Sequence, residues 1–142
     1  MPAAKPSFGH DDHGASAIEF AILAPVFLLM LTGMLAYGLY FAASHSVQQI
    51  AADAARTSVA GLDLGERNAL VAHHIATNAG QYLLIETEHL VYEVADRATD
   101  PNQYQVIIRY DARHLPIWNL YLPLPLPDTT ITFVSSIRHG GV

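Results

Sequence analysis

Two groups near the start of the chain could do chemistry together. A cut after Gly14 would give Ala15 a new α-amine, four residues before the carboxylate of Glu19. On a helix that spacing is about one turn, so the two groups would share a face. An α-amine with a reference pKa of about 7.7–8.0 is mostly protonated at neutral pH and can pair with a carboxylate. In the other interpretation, Glu19 simply sits in a headgroup layer.

Glu19 stands at the mouth of an uncharged apolar segment, which must position it. Phe20 to Ala43 is about 24 residues long, and no Asp, Glu, Lys or Arg occurs from Phe20 through Ala52. As a helix this segment spans roughly 36 Å, enough for a hydrocarbon core of ~30 Å, and we predict that it crosses a membrane. An ionised carboxylate costs roughly 2.5–3.5 kcal/mol at the bilayer centre, so Glu19 is a functional candidate.

A cleaved secretory signal is the alternative for this segment. The apolar run is longer than a usual signal core of roughly 7–15 residues, so that interpretation fits poorly. Small-x-small sequences such as Ala36-Tyr37-Gly38 keep it open.

The residues around Glu19 resemble a known processing site. Gly14, four residues, then Glu19 and an aromatic residue resemble the cleavage site of Flp-type prepilins. The longer stretch, about residues 14–60, resembles the TadE family of minor pseudopilins of tight-adherence pilus systems. The matching residues are Gly14, Ala17, Glu19-Phe20-Ala21, Pro25, Gly33 and Ala51-Ala52-Asp53-Ala54-Ala55-Arg56.

The chain departs from that pattern in two ways. Phe20 stands where Tyr is common in Flp major pilins, although an aromatic residue is kept. The leader carries Lys5 against Asp11 and Asp12, whereas such leaders are usually basic. Charge therefore says little about orientation, and a cytoplasmic N-terminus is implied by the resemblance alone.

The resemblance implies a mechanism and partners. Residues 1–14 would be a leader that a prepilin peptidase removes between Gly14 and Ala15. The Ala15 amine and Glu19, with Phe20 beside it, would then pair between neighbouring helices and set their axial register. The implied partners are the peptidase, other pilin and pseudopilin subunits, the inner-membrane assembly platform and the lipid bilayer. The implied location is the bacterial inner membrane, single pass, with a periplasmic head that is either incorporated in the pilus or retained at the platform.

The helix is predicted to continue beyond the membrane. Val47, Ile50, Ala51, Ala54, Ala55, Ser58 and Val59 recur at helical spacing, and Gly61 is a plausible stop. A helix over residues 15–60, with its membrane part at about 20–43, would be ~70 Å long. Pro25 removes one backbone hydrogen bond near the carbonyl of Ala21. It is read either as a tolerated kink or as a local melt that lets the helix stretch in a filament.

Residues 61–142 are predicted to form a small α+β head. A second helix over 64–79 begins with a capping box at Asp63 and Glu66. Alternating apolar residues predict strands around Leu90–Val94, Tyr104–Tyr110 and Thr129–Ile137. The predicted fold is a pilin-like lollipop, with a long transmembrane and amphipathic helix, a second short helix and a three-stranded antiparallel sheet.

Residues 115–127 form an unusual stretch, here called the Leu-Pro segment. It contains Trp118, Tyr121, Leu122 and Leu124, and its prolines exclude a helix or a central strand. One interpretation is a loop that folds back over the core. The other is an apolar ledge, a candidate interface with the membrane surface or a neighbouring subunit.

Composition and motifs exclude several functions. The chain has 142 residues, a net charge of −6 and no cysteine, and it has no basic patch for nucleic acid. The histidines, including His73-His74 and the leader pair around Asp11-Asp12, have no convincing ligand spacing, so we predict no metal and no cofactor. No phosphate loop, nucleophile elbow or zinc-protease motif occurs, so the chain is not predicted to be an enzyme.

Three functional hypotheses follow. The first is a TadE-like minor pseudopilin, trimmed after Gly14, that supports Flp-type pilus assembly. The second is a single-pass anchored envelope binding module that is not cleaved and does not enter a filament. A membrane-anchored enzyme is the third and has no visible site to support it. TadF-like and TadG-like proteins are related enough to stay open beside the TadE assignment.

Overall fold

A computed structural model describes residues 12–100, 102–120 and 123–138, with side chains from residue 16 onward. Helix α1 (Asp12–Ser58) is followed by helix α2 (Leu64–Asn78) and by strands β1 (Leu90–Asp96), β2 (Gln103–Asp111) and β3 (Thr130–Arg138). The predicted α+β fold with two helices and three strands is confirmed. Most of the predicted leader lies outside the described residues.

Helix α1 is long because nothing but Pro25 interrupts its apolar and small residues. Its 47 residues correspond to roughly 70 Å, and Arg56 lies in the last turn, where a cation is favourable. In the described part of the chain it is the one helix long and apolar enough to cross a membrane, judged by length and composition.

The N-cap predicted at Asp63 is confirmed, and the return bond of Glu66 goes to Leu62, one residue before the cap. The Asp63 carboxylate accepts a hydrogen bond from the Glu66 N–H at 2.8 Å, and the Glu66 carboxylate accepts one from the Leu62 N–H at 2.8 Å. These contacts satisfy amides that a helix start leaves without partners. Val71 and Ile75 on the inner face of α2 are buried.

The sheet is antiparallel in the order β1-β2-β3. β2 is therefore central, and it carries the most apolar alternation. Its Ile108 pairs with Tyr92 of β1 and with Phe133 of β3, so the three side chains lie across one face. That face packs against α1. The fully buried large side chains of the core are Tyr104, Tyr110, Ile50, Ile108, Ile117, Val47, Val71 and Val106.

The junction between the two helices corrects one expectation and explains another. The sequence places Val59 on the buried stripe, but α1 ends at Ser58 and Val59 is exposed. Gly61 follows the end of the helix, as predicted, although none of the glycines in the described ranges has a positive φ. Glycine is required at position 61 for space, because a Cβ there would lie 2.7 Å from the backbone nitrogen of Arg67.

Buried polar groups also stabilise the junction between α1 and α2. Arg67 is buried; its Nε donates to the Gly61 carbonyl at 3.2 Å, and its guanidinium lies 4.3 Å from the centre of the Tyr104 ring. The Tyr104 and Ser58 hydroxyls are 3.1 Å apart. These contacts tie the end of α1 to α2 and β2, so the head is held rigidly on the upper helix.

Candidate functional site

The predicted processing site lies at the start of α1. Gly14 and Ala15 fall within the helical backbone, and Glu19 follows one turn later, exposed. A helix rises about 6 Å over four residues, so a new Ala15 amine and the Glu19 carboxylate would lie on one face. Phe20 next to it is 73% exposed. The helical backbone therefore provides the spacing that the pairing hypothesis requires, while cleavage and pairing stay predictions.

Residues 16–32 of α1, here called the lower helix, have an apolar and largely exposed surface. The large exposed side chains there are Ile18, Phe20, Ile22, Leu23, Val26, Phe27, Leu28, Met30 and Leu31. A soluble monomer rarely exposes such a continuous apolar surface, which marks a membrane or protein contact. Pro25 lies within this stretch, and α1 continues through it. Its role as a kink or a melting point stays a prediction.

From Gly33 onward, one face of α1 is covered. Gly33, Ala36 and Ala43 are buried although the sequence placed them in the membrane part of the helix. Their small side chains let the head approach the helix backbone closely. The covered face then continues through Val47 and Ile50 to the end of the helix. The head therefore reaches down over residues that length alone would assign to the bilayer.

The Leu-Pro segment makes the lowest of these contacts. A Cβ on Gly33 would lie 2.9 Å from Cδ1 of Leu124, so Leu124 occupies the space above that glycine. The Tyr37 hydroxyl donates a hydrogen bond to the Pro125 carbonyl at 2.5 Å. Leu124 and Leu126 are both half-buried. The segment thus folds back on α1. Its contact with the membrane surface or with a neighbouring subunit stays a prediction.

Trp118 anchors the upper part of the Leu-Pro segment. It lies in a short 3-10 helix, Pro116–Leu120, so the expectation that the prolines exclude a helix is wrong for these residues, since proline is tolerated at a first helical position. Ile117 of this helix is fully buried. The indole N–H donates to the Ala112 carbonyl at 2.6 Å, and the ring packs against the core. Trp118 therefore positions the segment, and its candidate interface role stays a prediction. Tyr121 and Leu122, from the same candidate interface, lie outside the described residues.

The polar residues at the end of α1 hold the head in place. Asp53 accepts hydrogen bonds from the Tyr82 hydroxyl at 2.7 Å and from Arg56 at 2.6 Å. Partial burial, and then the hydrogen bond to Asp53, raise the pKa of Tyr82 to about 12. This hydrogen bond joins the loop after α2 to residues 51–56 of α1, which are part of the family resemblance.

Two charged clusters were missed by the sequence reasoning. The ring of His89 stacks on that of His114 at 3.5 Å, and the potential ligand atoms of Glu86, Glu88 and His89 lie within 4.8 Å of one another. His89 was treated as lacking ligand spacing, because the adjacent acidic residues were not considered with it. Both glutamates are exposed. The second cluster is Asp111 with Arg113, whose guanidinium hydrogen bonds lower the pKa of the Asp111 carboxyl.

None of the arrangements in the described ranges has the geometry of a catalytic site. The polar clusters are ion pairs and hydrogen bonds that join loops to elements, and the Thr57 hydroxyl, 3.5 Å from Nδ1 of His74, donates its hydrogen to the Asp53 carbonyl at 2.9 Å. The prediction that the chain is not an enzyme stays a prediction, with no positive sign of catalysis against it.

The comparisons with known proteins agree with the N-terminal geometry. A family model described as TadE-like protein matches residues 14–56, from the predicted processing glycine to the arginine that contacts Asp53. No curated protein and no solved structure matches the chain. TadE-like proteins are a structural, pilus-associated family, so the match indicates a protein associated with the Tad pilus. Residues 14–56 are thus a TadE-like segment, as the sequence resemblance predicted.

Proposed function

We propose that this chain is a minor pseudopilin that supports Flp-type pilus assembly and is processed by a prepilin peptidase after Gly14. One observation carries the proposal: Gly14, Ala15 and Glu19 lie at the start of a bare apolar helix inside a TadE-like segment. An ordinary anchor has no need of a carboxylate one turn inside its apolar helix, where ionised groups are costly.

The head supports a role as a minor subunit. By the family resemblance, Flp major pilins consist of little more than the first helix. This chain adds α2 and a three-stranded sheet that cover one face of α1 from Gly33 upward. A covered upper helix leaves the bare lower helix as the surface that can pack against other pilin helices. We therefore assign the head to the periplasmic side, where it would contact the assembly platform or cap a filament.

The proposed pairing has a defined electrostatic purpose. In a helix bundle within lipid, the Ala15 ammonium of one subunit and the Glu19 carboxylate of its neighbour neutralise one another. A shifted neighbour would leave both charges unpaired in a low-dielectric medium, which is strongly unfavourable. The pair therefore selects one axial register between subunits.

The test is the intact mass and N-terminal sequence of the membrane-extracted protein. Expressed with the cognate peptidase, the chain is expected to start at Ala15; with an inactivated peptidase it is expected to start at Met1. Gly14→Leu should stay uncut. The matched control Gly38→Leu should be cut normally, since a Cβ at Gly38 meets nothing within 4 Å.

The same experiment addresses the anchored binding module. An intact N-terminus in the presence of active peptidase would rule out processing after Gly14 and favour that alternative. The register hypothesis for Glu19 would then lose its positive partner, because no amine would exist at Ala15.

A further inference from the structure

We infer that the tip of the Leu-Pro segment, residues 123–127, inserts into the interfacial zone of the outer leaflet beside α1 and contacts lipid. The inference rests on the membrane location in the proposed function and adds a second site of membrane contact. Its basis is the packing of Leu124 over Gly33 and of Pro125 against Tyr37.

The length of the membrane-spanning part of α1 determines where the tip lies relative to the bilayer. A hydrocarbon core of ~30 Å takes roughly 20 helical residues, so a span that begins at Phe20 ends near Leu39. Leu124 contacts the helix at Gly33, six residues lower, which corresponds to about 9 Å. With Glu19 at the inner boundary, the Leu124 side chain therefore reaches into the outer part of the hydrocarbon core, while the Pro125 carbonyl meets Tyr37, two residues before the outer boundary.

The alternative placement carries an electrostatic cost. If the tip stayed in water, the core would have to end near Gly33, and the span would begin about 20 residues earlier, near Gly14. Glu19 would then lie roughly 8 Å inside the hydrocarbon of the inner leaflet. Because an unpaired carboxylate becomes more costly with depth, insertion of the tip is the favoured arrangement for a lone subunit, in which Glu19 has no neighbouring amine.

The covalent chemistry of the tip suits a poorly hydrated environment. Pro123, Pro125 and Pro127 have no backbone N–H, so every second residue of the tip lacks a donor that would need a partner. The Pro125 carbonyl already accepts the Tyr37 hydroxyl hydrogen. The tip therefore has two backbone donors, those of Leu124 and Leu126, where five residues without proline would have five.

The residues around the tip resemble an interfacial belt. No charged residue occurs from Leu115 through Pro127, and the exposed Asp128 follows directly. Tyr37, Tyr40 and Phe41 form ring contacts on α1 around the outer boundary near Leu39, and aromatic residues favour the membrane–water boundary. The bare apolar surface of the lower helix runs continuously into this level. Around a lone subunit, lipid would therefore cover the lower helix and the tip together.

The absence of cysteine allows a clean labelling test on the full chain. Single-cysteine variants Leu126→Cys, Leu28→Cys and Leu62→Cys would carry a polarity-sensitive fluorophore in vesicles of phosphatidylcholine and phosphatidylglycerol. Leu28 lies on the bare lower helix and reports insertion of α1. Leu62, 87% exposed at the far end of α1, is the matched water-facing control. Trp118 emission, unchanged in each variant, verifies a folded head.

Lipids with a nitroxide at a shallow acyl position are expected to quench the Leu126 label severalfold more than the Leu62 label. Aqueous iodide should show the reverse order. A Leu126 label that behaves like the Leu62 label overturns the inference, while a quenched Leu28 label would leave the membrane part of the proposed function standing. A Leu126 label shielded from both quenchers also overturns it, because a second protein copy would then cover the tip. Because Leu28 lies near the bilayer centre, its quencher is a nitroxide deep in the acyl chain, and a Leu28 label that this lipid leaves unquenched would overturn both.

Discussion

The lower and upper parts of α1 have similar residues but opposite surroundings. Ile22 below Gly33 is 65% exposed, whereas Ile50 above it is fully buried. The lower part keeps its apolar surface on all sides, and the upper part gives one face to the head. The difference shows that one continuous helix can separate two tasks: the upper part stabilises the fold, and the lower part remains available for lipid and neighbouring subunits.

Glu19→Gln gives the largest expected effect and tests the lower part. The variant should insert and be cut after Gly14, since the helix and the scissile bond are unchanged. Piliation should nevertheless fall by about 100-fold or more, because an unpaired buried charge costs about 3 kcal/mol or more. Surface pili are counted by electron microscopy in a strain that depends on this chain.

Phe20→Leu is the matched control for Glu19→Gln, since it alters the adjacent side chain and keeps the carboxylate. It should support pili at a level close to that of the unaltered chain. Normal pili in Glu19→Gln would contradict the register role, and head unfolding in that variant would contradict the independence of the two parts.

An isoleucine-to-alanine substitution in the upper and in the lower part of α1 compares the two parts by their effect on the free energy of unfolding. Ile50→Ala removes buried methyl groups, and we expect a loss of about 2–5 kcal/mol in the free energy of unfolding of the head. Ile22→Ala should change it by less than about 0.5 kcal/mol. Urea unfolding in detergent, followed by Trp118 fluorescence, measures both. Equal losses would mean that the lower helix is part of the folded core.

Gly61 and Gly38 give a comparison of two backbone positions. Gly61→Ala places a Cβ 2.7 Å from the Arg67 backbone nitrogen, so the helix junction must shift, at about 1–3 kcal/mol. Gly38→Ala meets nothing within 4 Å and should be neutral or stabilising by up to about 1 kcal/mol. The urea midpoints of both variants test this, and a tolerated Gly61→Ala would show that the junction is looser than its contacts indicate.

The elements followed from the sequence because each is governed by local periodicity. The cap at Asp63 and the alternation from Tyr104 to Tyr110 depend on neighbours a few residues away, and both are confirmed. The packing of Leu124 over Gly33 could not be read in this way. Its partners are far apart in the chain, and a proline-broken segment has no period that indicates which surface it covers.

Two further features were hidden for chemical reasons. The burial of Arg67 could not be predicted from the sequence, because burial of a guanidinium depends on a tertiary partner such as the Tyr104 ring. In the candidate site, the spacing of Gly14, Ala15 and Glu19 was visible in the sequence, since it lies within one helical turn. The level at which the head meets α1 was not visible, because the small residues Gly33 and Ala36 suit lipid and protein contact equally.

Tyr82→Phe gives the smallest expected effect and tests the upper attachment of the head. Partial burial and the hydrogen bond to Asp53 raise the pKa of Tyr82 from 10.0 to about 12 in the folded chain. Since this folded value lies above the unfolded one, the stabilisation is fully present below pH 10 and is lost as the pH rises toward 12.

The variant should lose about 1 kcal/mol at neutral pH, through the missing hydrogen bond. Between pH 10 and 12 the unaltered chain loses the stabilisation from Tyr82, whereas the variant has none to lose. The urea midpoints of the two chains should therefore converge over that range. Arg56→Gln, which removes the other donor to Asp53, should keep the alkaline dependence because Tyr82 remains. Parallel midpoints for Tyr82→Phe and the unaltered chain across that range would mean that the Tyr82 hydrogen bond does not hold the head on α1.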